Sequence, residues 1–170
     1  IQTSTSTIKF AERYKPGGTV SIICGGHWCS RVIESGEDAC GMGRSTHIGL
    51  QGNPHTKVLN ITWYRVCKQG HETAGMKTAY MQQYAILRER FPHLDPNPRR
   101  QSVLDMQLFI MKKIQEGYFI ILCTDANENL SVAKRGWCPV DSDTDHAFDK
   151  AHDGSILTLI NICGLVDVLH

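Results

Sequence analysis

The stretch Tyr118–Leu130, YFIILCTDANENL, decides how the chain is read. Its first six residues, Tyr118 to Cys123, are apolar and rich in β-formers, so they predict a short strand, and apolar side chains on both faces predict a central strand covered on both sides. The run then delivers Asp125, Asn127 and Glu128 at its exit. Two readings of that exit stand side by side. In one, Asp or Asn bonds the backbone two residues on and simply ends the strand as an Asx-turn. In the other, the strand holds Asp125 and Asn127 so that they aim at one point, the carboxylate accepting a proton or holding a water and the carboxamide donating to an oxyanion.

On the C-terminal side, a polar loop from Asp125 to about Asp145 leads to a helical stripe of Phe148, His152, Ile156, Leu159, Ile160 and Cys163. Asp145 is placed to cap this helix and Gly164 to end it, with Leu165–Leu169 as a last strand. On the N-terminal side, the breaker Asp95-Pro96-Asn97-Pro98 separates two amphipathic helices. One carries Met76, Ala79, Tyr80, Gln83, Tyr84 and Leu87 on a face, the other Val103, Leu104, Leu108, Met111 and Ile114. Further back, Ser45–Leu50 and Lys57–Val66 predict a hairpin around Gln51-Gly52-Asn53-Pro54-His55. Thr19–Cys24 predicts a strand closed by Gly25-Gly26, and a loop carries Gly36, Gly41 and Gly43. Strands first, then helix, helix, strand, helix, strand, argue for an α/β protein in a single domain over 1–170. There are more strand faces than early helices to cover them, which points to a further sheet or helix layer.

Along Lys57–Val66, Leu59, Ile61 and Trp63 share one face, while Val58, Asn60, Thr62 and Tyr64 share the other. Tyr64 therefore reaches the end of its strand with a hydroxyl that suits a phosphate oxygen or a metal-bound water, or else a backbone carbonyl in a core. Cys24, His27 and Cys29 lie within six residues but lack a Cys-x-x-Cys pair, so they read as thiols beside a glycine turn and not as a zinc site. The glycine pairs do not have the spacing of a phosphate-cradling loop.

The 170 residues are 41% apolar and 21% charged, a globular balance, and the net charge of +1 makes no global case for a polyanionic partner. Local basic faces remain available from Arg88, Arg90, Arg99, Arg100, Lys112, Lys113, Lys134 and Arg135. No run is long enough to span a bilayer, and IQTSTSTIKF lacks the features of a signal peptide. Seven cysteines, odd in number and mostly single in apolar segments, are unlike a secreted disulfide framework and predict a reducing, intracellular compartment. The triplets Asn60-Ile61-Thr62 and Asn129-Leu130-Ser131 read as chance matches to a glycosylation pattern. With no initiating Met and an apolar final run, the chain reads as part of a longer protein.

Four segments together resemble the endonuclease/exonuclease/phosphatase family of metal-dependent hydrolases. Gly17–Ile23 is similar to its glycine-led strand. Gly43-Arg44 and Lys57–Val66 resemble its next two strands, the second ending in a tyrosine. Ile120–Asn127 resembles the strand that closes with Gly-Asp-Phe-Asn, and Gly164–Val168 resembles the Gly-Leu-x-Asp strand after it. The segments around Gln82-Gln83-Tyr84 and Pro98-Arg99-Arg100 are most similar to retrotransposon-type members. The resemblance implies a four-layered α/β sandwich, two packed sheets flanked by helices, here without the N-terminal and C-terminal strands.

It also implies a Mg²⁺-dependent phosphodiester hydrolase, an endonuclease acting on DNA. Asp125 would orient or deprotonate the attacking water, Asn127 would donate to the scissile phosphate, and Tyr64 would contact the phosphate. Thr124 and Ala126 stand where the family has Gly and Phe. The family's early Asn and metal-binding Glu, and its closing Ser-Asp-His, have no counterpart in these residues, so the Mg²⁺ ligands fall largely outside the chain and the chain alone is expected to be nearly inactive. The alternatives are a non-catalytic relative that binds nucleic acid or protein, and an unrelated α/β domain in which Asp125–Asn129 is only a turn.

Overall fold

The computed structural model of the chain describes residues 1–7, 19–67, 75, 78–128 and 155–166. In chain order the elements are β1 (Gln2–Thr5), β2 (Thr19–Ile22), a 3-10 helix (Gly26–Arg31), β3 (Val32–Glu37), β4 (Ser45–Gln51), β5 (Lys57–Tyr64), α1 (Ala79–Arg90), α2 (Pro98–Gln115), β6 (Tyr118–Asp125) and α3 (Ile156–Cys163). The architecture is mixed α/β. One sheet has the order β3-β4-β5-β6, antiparallel except for the parallel β5–β6 pair, and β1 and β2 form a separate antiparallel pair.

The β4–β5 hairpin forms at the predicted place, with Ser45 opposite Trp63 and Gln51 opposite Lys57. Alternation along β5 puts Leu59, Ile61 and Trp63 against α2 and α3, where Val103, Met106, Ile110, Ile156 and Leu159 complete the main core. Each such side chain contributes about 1.5–3 kcal/mol on burial. Ile120 and Leu122 of β6 pack on the same core. On the other face of the sheet, β1 lies against β3 and β4, and β2 against β4 and β5.

Three expectations change. Val32–Glu37 is a strand, not part of a loop, and it carries Gly36 where the imidazole of His47 crosses it: a Cβ there would meet His47 Cε1 at 2.5 Å. Any larger residue there would require the His47 imidazole to move. On α2, the buried stripe is Val103, Met106 and Ile110, while Leu108 is 67% exposed and Met111 and Ile114 are also exposed. The stripe is rotated because Ser102 faces inward, its hydroxyl accepting from Trp63 Nε1 at 3.0 Å. Finally, among the described residues β6 is not covered on both sides. Among the described residues it is the edge of its sheet, with Phe119 and Ile121, which alternate onto the face away from α2, 67% and 48% exposed.

Helix starts follow local chemistry. Asn97 Oδ1 accepts from the N–H groups of Arg99 (2.9 Å) and Arg100 (3.1 Å), and Pro98 fills the first turn, where no donor is needed. Thr78 caps α1. Ser155 caps α3, and Gly164 ends it in the left-handed conformation at φ 62°. Met76, Asp145, Phe148, His152 and the end of the Leu165–Leu169 segment lie outside the described residues. No described helix is long and apolar enough to cross a membrane.

Candidate functional site

Because β5 and β6 are parallel and adjacent, their C-terminal ends come out together. Tyr64, the last residue of β5, is the register partner of Asp125, the last of β6. The alternation that sends Leu59, Ile61 and Trp63 toward α2 sends Tyr64 and Asp125 to the opposite face. Loops at the C-terminal ends of parallel strands are where α/β sheets commonly hold ligands. The two strand exits are stitched by the Arg65 N–H donating to the Asp125 carbonyl at 3.0 Å.

Asn127 completes the group. It has φ 48°, a left-handed conformation that Asn tolerates better than most residues, and its N–H donates to Asp125 Oδ1 at 3.2 Å. The Asx-turn of the plainer reading is therefore formed, and it is formed beside Tyr64. Asn127 Nδ2 donates to the Arg65 carbonyl at 2.7 Å, and its Oδ1 accepts from the Cys67 thiol at 3.1 Å. The Tyr64 phenol sits among Cys67, Asp125 and Asn127. Burial first, then the Cys67 thiol and the Asp125 charge, raise its pKa against an opposing hydrogen bond with Asn127. The Asp125 carboxylate is exposed, and Tyr64 and Asn127 are half-buried.

Beneath these three lies a layer that the sequence reading did not anticipate. Arg99 is buried, its Nη1 donating to the Val66 carbonyl at 2.7 Å and its Nη2 to the Asn127 carbonyl at 3.2 Å. Arg65 is buried too and pairs with Glu128. The Glu128 carboxylate also accepts from the Ile156 N–H at 3.1 Å, so the turn after β6 is tied to the first residue of α3. A carboxylate is favoured at a helix N-terminus by the unpaired N–H groups there. The available signal for Arg65 was its place inside the apolar run Thr62-Trp63-Tyr64-Arg65-Val66-Cys67, where a charge must find a partner. Arg99 follows the Asn97-Pro98 helix start, which places it on the first turn and next to the strand exits.

The arrangement offers one exposed carboxylate, a phenol and a carboxamide at two adjacent strand exits, suited to receive a proton and to contact an anion's oxygens. It does not offer a magnesium site. Mg²⁺ takes octahedral oxygen ligation, usually from one or two carboxylates with waters and substrate. Glu128 is committed to Arg65 and α3, which leaves Asp125, and no group of three His, Cys, Asp or Glu able to hold a metal occurs among the described residues. Cys24, His27 and Cys29 likewise form no such group there.

No protein-family model, curated protein or solved structure matches the chain.

Proposed function

We propose that this chain contributes the Asp-x-Asn part of a phosphodiester hydrolase of the endonuclease/exonuclease/phosphatase type, Mg²⁺-dependent and acting on DNA. The observation that carries the proposal is the meeting of Tyr64, Asp125 and Asn127 at adjacent strand ends. In this reading the exposed Asp125 carboxylate orients a water and takes its proton, while the Tyr64 hydroxyl binds a phosphoryl oxygen. One Asn127 N–H stays on the Arg65 carbonyl, and the other leaves the Tyr64 phenol for the phosphate. Charge neutralisation at the phosphoryl group requires carboxylates beyond the described residues; in this reading, as the resemblance implies, they lie largely outside the chain, and the chain alone would be nearly inactive. DNA as substrate rests on the resemblance, with Arg88, Arg90, Arg100 and Lys112 as exposed basic groups. The finer architecture in this reading is the four-layered sandwich, in which β1–β2 begins the second sheet and the exposed Phe119 and Ile121 face strands added beyond β2.

One observation favours a non-catalytic domain that binds nucleic acid or protein: Asp125 Oδ1 and the whole Asn127 carboxamide are already bonded within the turn and its neighbours. Relaxation of supercoiled plasmid separates the two. The full-length gene product containing this chain should nick DNA with Mg²⁺, and Asp125→Ala should slow it by about a hundredfold or more. An unchanged rate in that variant removes Asp125 from the mechanism. Salt-dependent DNA binding without nicking, surviving the loss of Asp125 and Asn127, establishes the binding reading instead.

A further inference from the structure

We propose that Cys24 and Cys29 are a reversible dithiol–disulfide pair, closed by exchange with a low-molecular-weight disulfide such as oxidised glutathione. The proposal is independent of the phosphodiesterase reading and concerns the segment that follows β2.

The sequence Cys24-Gly25-Gly26-His27-Trp28-Cys29 follows β2 and enters the 3-10 helix, whose turn brings the second cysteine back over the first. Cys29 Sγ donates to the Cys24 carbonyl at 3.3 Å, which places the second thiol against the backbone of the first cysteine. Both are free, Cys24 half-buried and Cys29 exposed. The residues between them can follow the sulfurs: Gly26 is already left-handed at φ 59°, and a Cβ on Gly25 or Gly26 would meet nothing within 4 Å. A disulfide needs a short Cβ–Cβ approach, and among the described residues nothing packs against the two glycines that would adjust. Three of the other described cysteines are differently placed: Cys40 donates to Asp38, Cys67 to Asn127, and Cys163 is in the core. Cys123 is exposed and lines the same recess as Cys24, but it lies on β6, whereas Cys29 folds back onto Cys24 within one turn.

Exposure sets the order of events. The Cys29 thiolate attacks one sulfur of the small disulfide, forming a mixed disulfide and releasing one thiolate, which is then protonated. The Cys24 thiolate attacks the Cys29 sulfur, the bond to the small thiol breaks, and a second small thiol leaves. Two protein thiols are oxidised and one small disulfide is reduced to two thiols. Cys24 suits the resolving role because burial, and then its neighbour Cys29, raise its pKa, and the exposed sulfur is the one an outside disulfide reaches. The ring so closed fixes the turn that holds Trp28 beside Leu50, Thr62 and Cys123 in the recess at the sheet face.

The test equilibrates the 170-residue chain across ratios of oxidised to reduced glutathione, alkylates the remaining thiols and maps tryptic peptides. Both cysteines fall in one such peptide, Tyr14–Arg31, since Lys15 precedes a proline. The expected result is loss of both alkyl groups from this peptide, with a mass two hydrogens below the dithiol, at ratios where the Cys40 and Cys163 peptides are still fully alkylated. In Cys24→Ser, Cys29 should instead accumulate as its glutathione adduct. Full alkylation of both positions wherever Cys40 and Cys163 are alkylated overturns the proposal. So does a stable glutathione adduct on the unaltered chain, or a cross-link from either residue to Cys123.

Discussion

Asn127 donates its side-chain amide to the carbonyl of Arg65 at 2.7 Å, binding the turn after β6 to the residue that follows β5. The carboxamide thus acts as a structural brace before any ligand arrives. Its Oδ1 holds Cys67 and its backbone N–H holds Asp125. Asn127→Ala removes its side-chain contacts and leaves a non-glycine residue at positive φ, so a loss of about 1–3 kcal/mol is expected. Asn127→Gly loses the same bonds without the strain at φ 48°. Urea midpoints should therefore fall in the order unaltered chain, Gly, Ala. A midpoint for Ala equal to that of the unaltered chain would show that the brace bears no load.

Arg65 and Glu128 are the second tie, with side chains 1% and 8% exposed. Removing one partner of a buried pair strands the other charge, which typically costs about 3–5 kcal/mol. Arg65→Met should reach that range, because among the described residues the Glu128 carboxylate then keeps only the Ile156 N–H. Glu128→Gln should cost less, since its amide oxygen still accepts from both Arg65 and Ile156. Chemical denaturation of both variants checks the ordering, and equal losses would mean that charge is immaterial at this contact.

The legible parts of the fold were those in which one periodicity served one purpose. β5 alternates because one face is core, and α2 starts at Asn97-Pro98 because a cap and a proline fit a first turn and little else. The meeting of Tyr64 with Asp125 was legible as a question of strand ends, and the parallel register brings it about. β3 was not legible. Glu34, Ser35, Gly36 and Glu37 have poor strand propensity, and the strand is held by its long-range pairing with β4, where Thr46 Oγ1 donates to the Gly36 carbonyl at 3.0 Å. The inner face of α2 was misjudged for a related reason. Apolarity selects Leu108 and Met111, but the serine that satisfies an indole N–H is what points to the core. The edge position of β6 could not be seen either, since an apolar run looks the same whether its cover comes from described residues or from elsewhere.

That indole contact supports a third prediction. Trp63 is fully buried and Ser102 Oγ accepts from its Nε1 at 3.0 Å. Ser102→Ala leaves a buried donor without this acceptor, and an unsatisfied group of this kind costs about 1–3 kcal/mol. Ser102→Thr keeps the hydroxyl and should recover part of the loss. Thermal unfolding of the two variants reads the difference, and identical transitions for Ala and the unaltered chain would assign the Trp63 environment to packing alone.

Asp38 makes the chain's stability depend on pH. Burial disfavours its carboxylate, but Arg44 and the Cys40 thiol outweigh it, with Arg44 Nε at 3.1 Å, the Arg44 N–H at 3.0 Å and Cys40 Sγ at 2.6 Å, so the pKa is held below the usual carboxylate value. A carboxyl with a depressed folded pKa stabilises the fold fully above its unfolded value of about 3.9 and loses that contribution as the pH falls toward the folded value. Asp38→Asn should therefore be less stable than the unaltered chain at neutral pH, by less than the roughly 3 kcal/mol of a stranded buried charge, because Arg44 Nη2 keeps its pair with Asp105 at 2.6 Å. Below about pH 4 the difference should narrow as Asp38 of the unaltered chain takes up its proton. Denaturation at a series of pH values gives both curves. A constant separation between them down to the acid limit would show that Asp38 acts through shape and hydrogen bonding, with its charge contributing nothing.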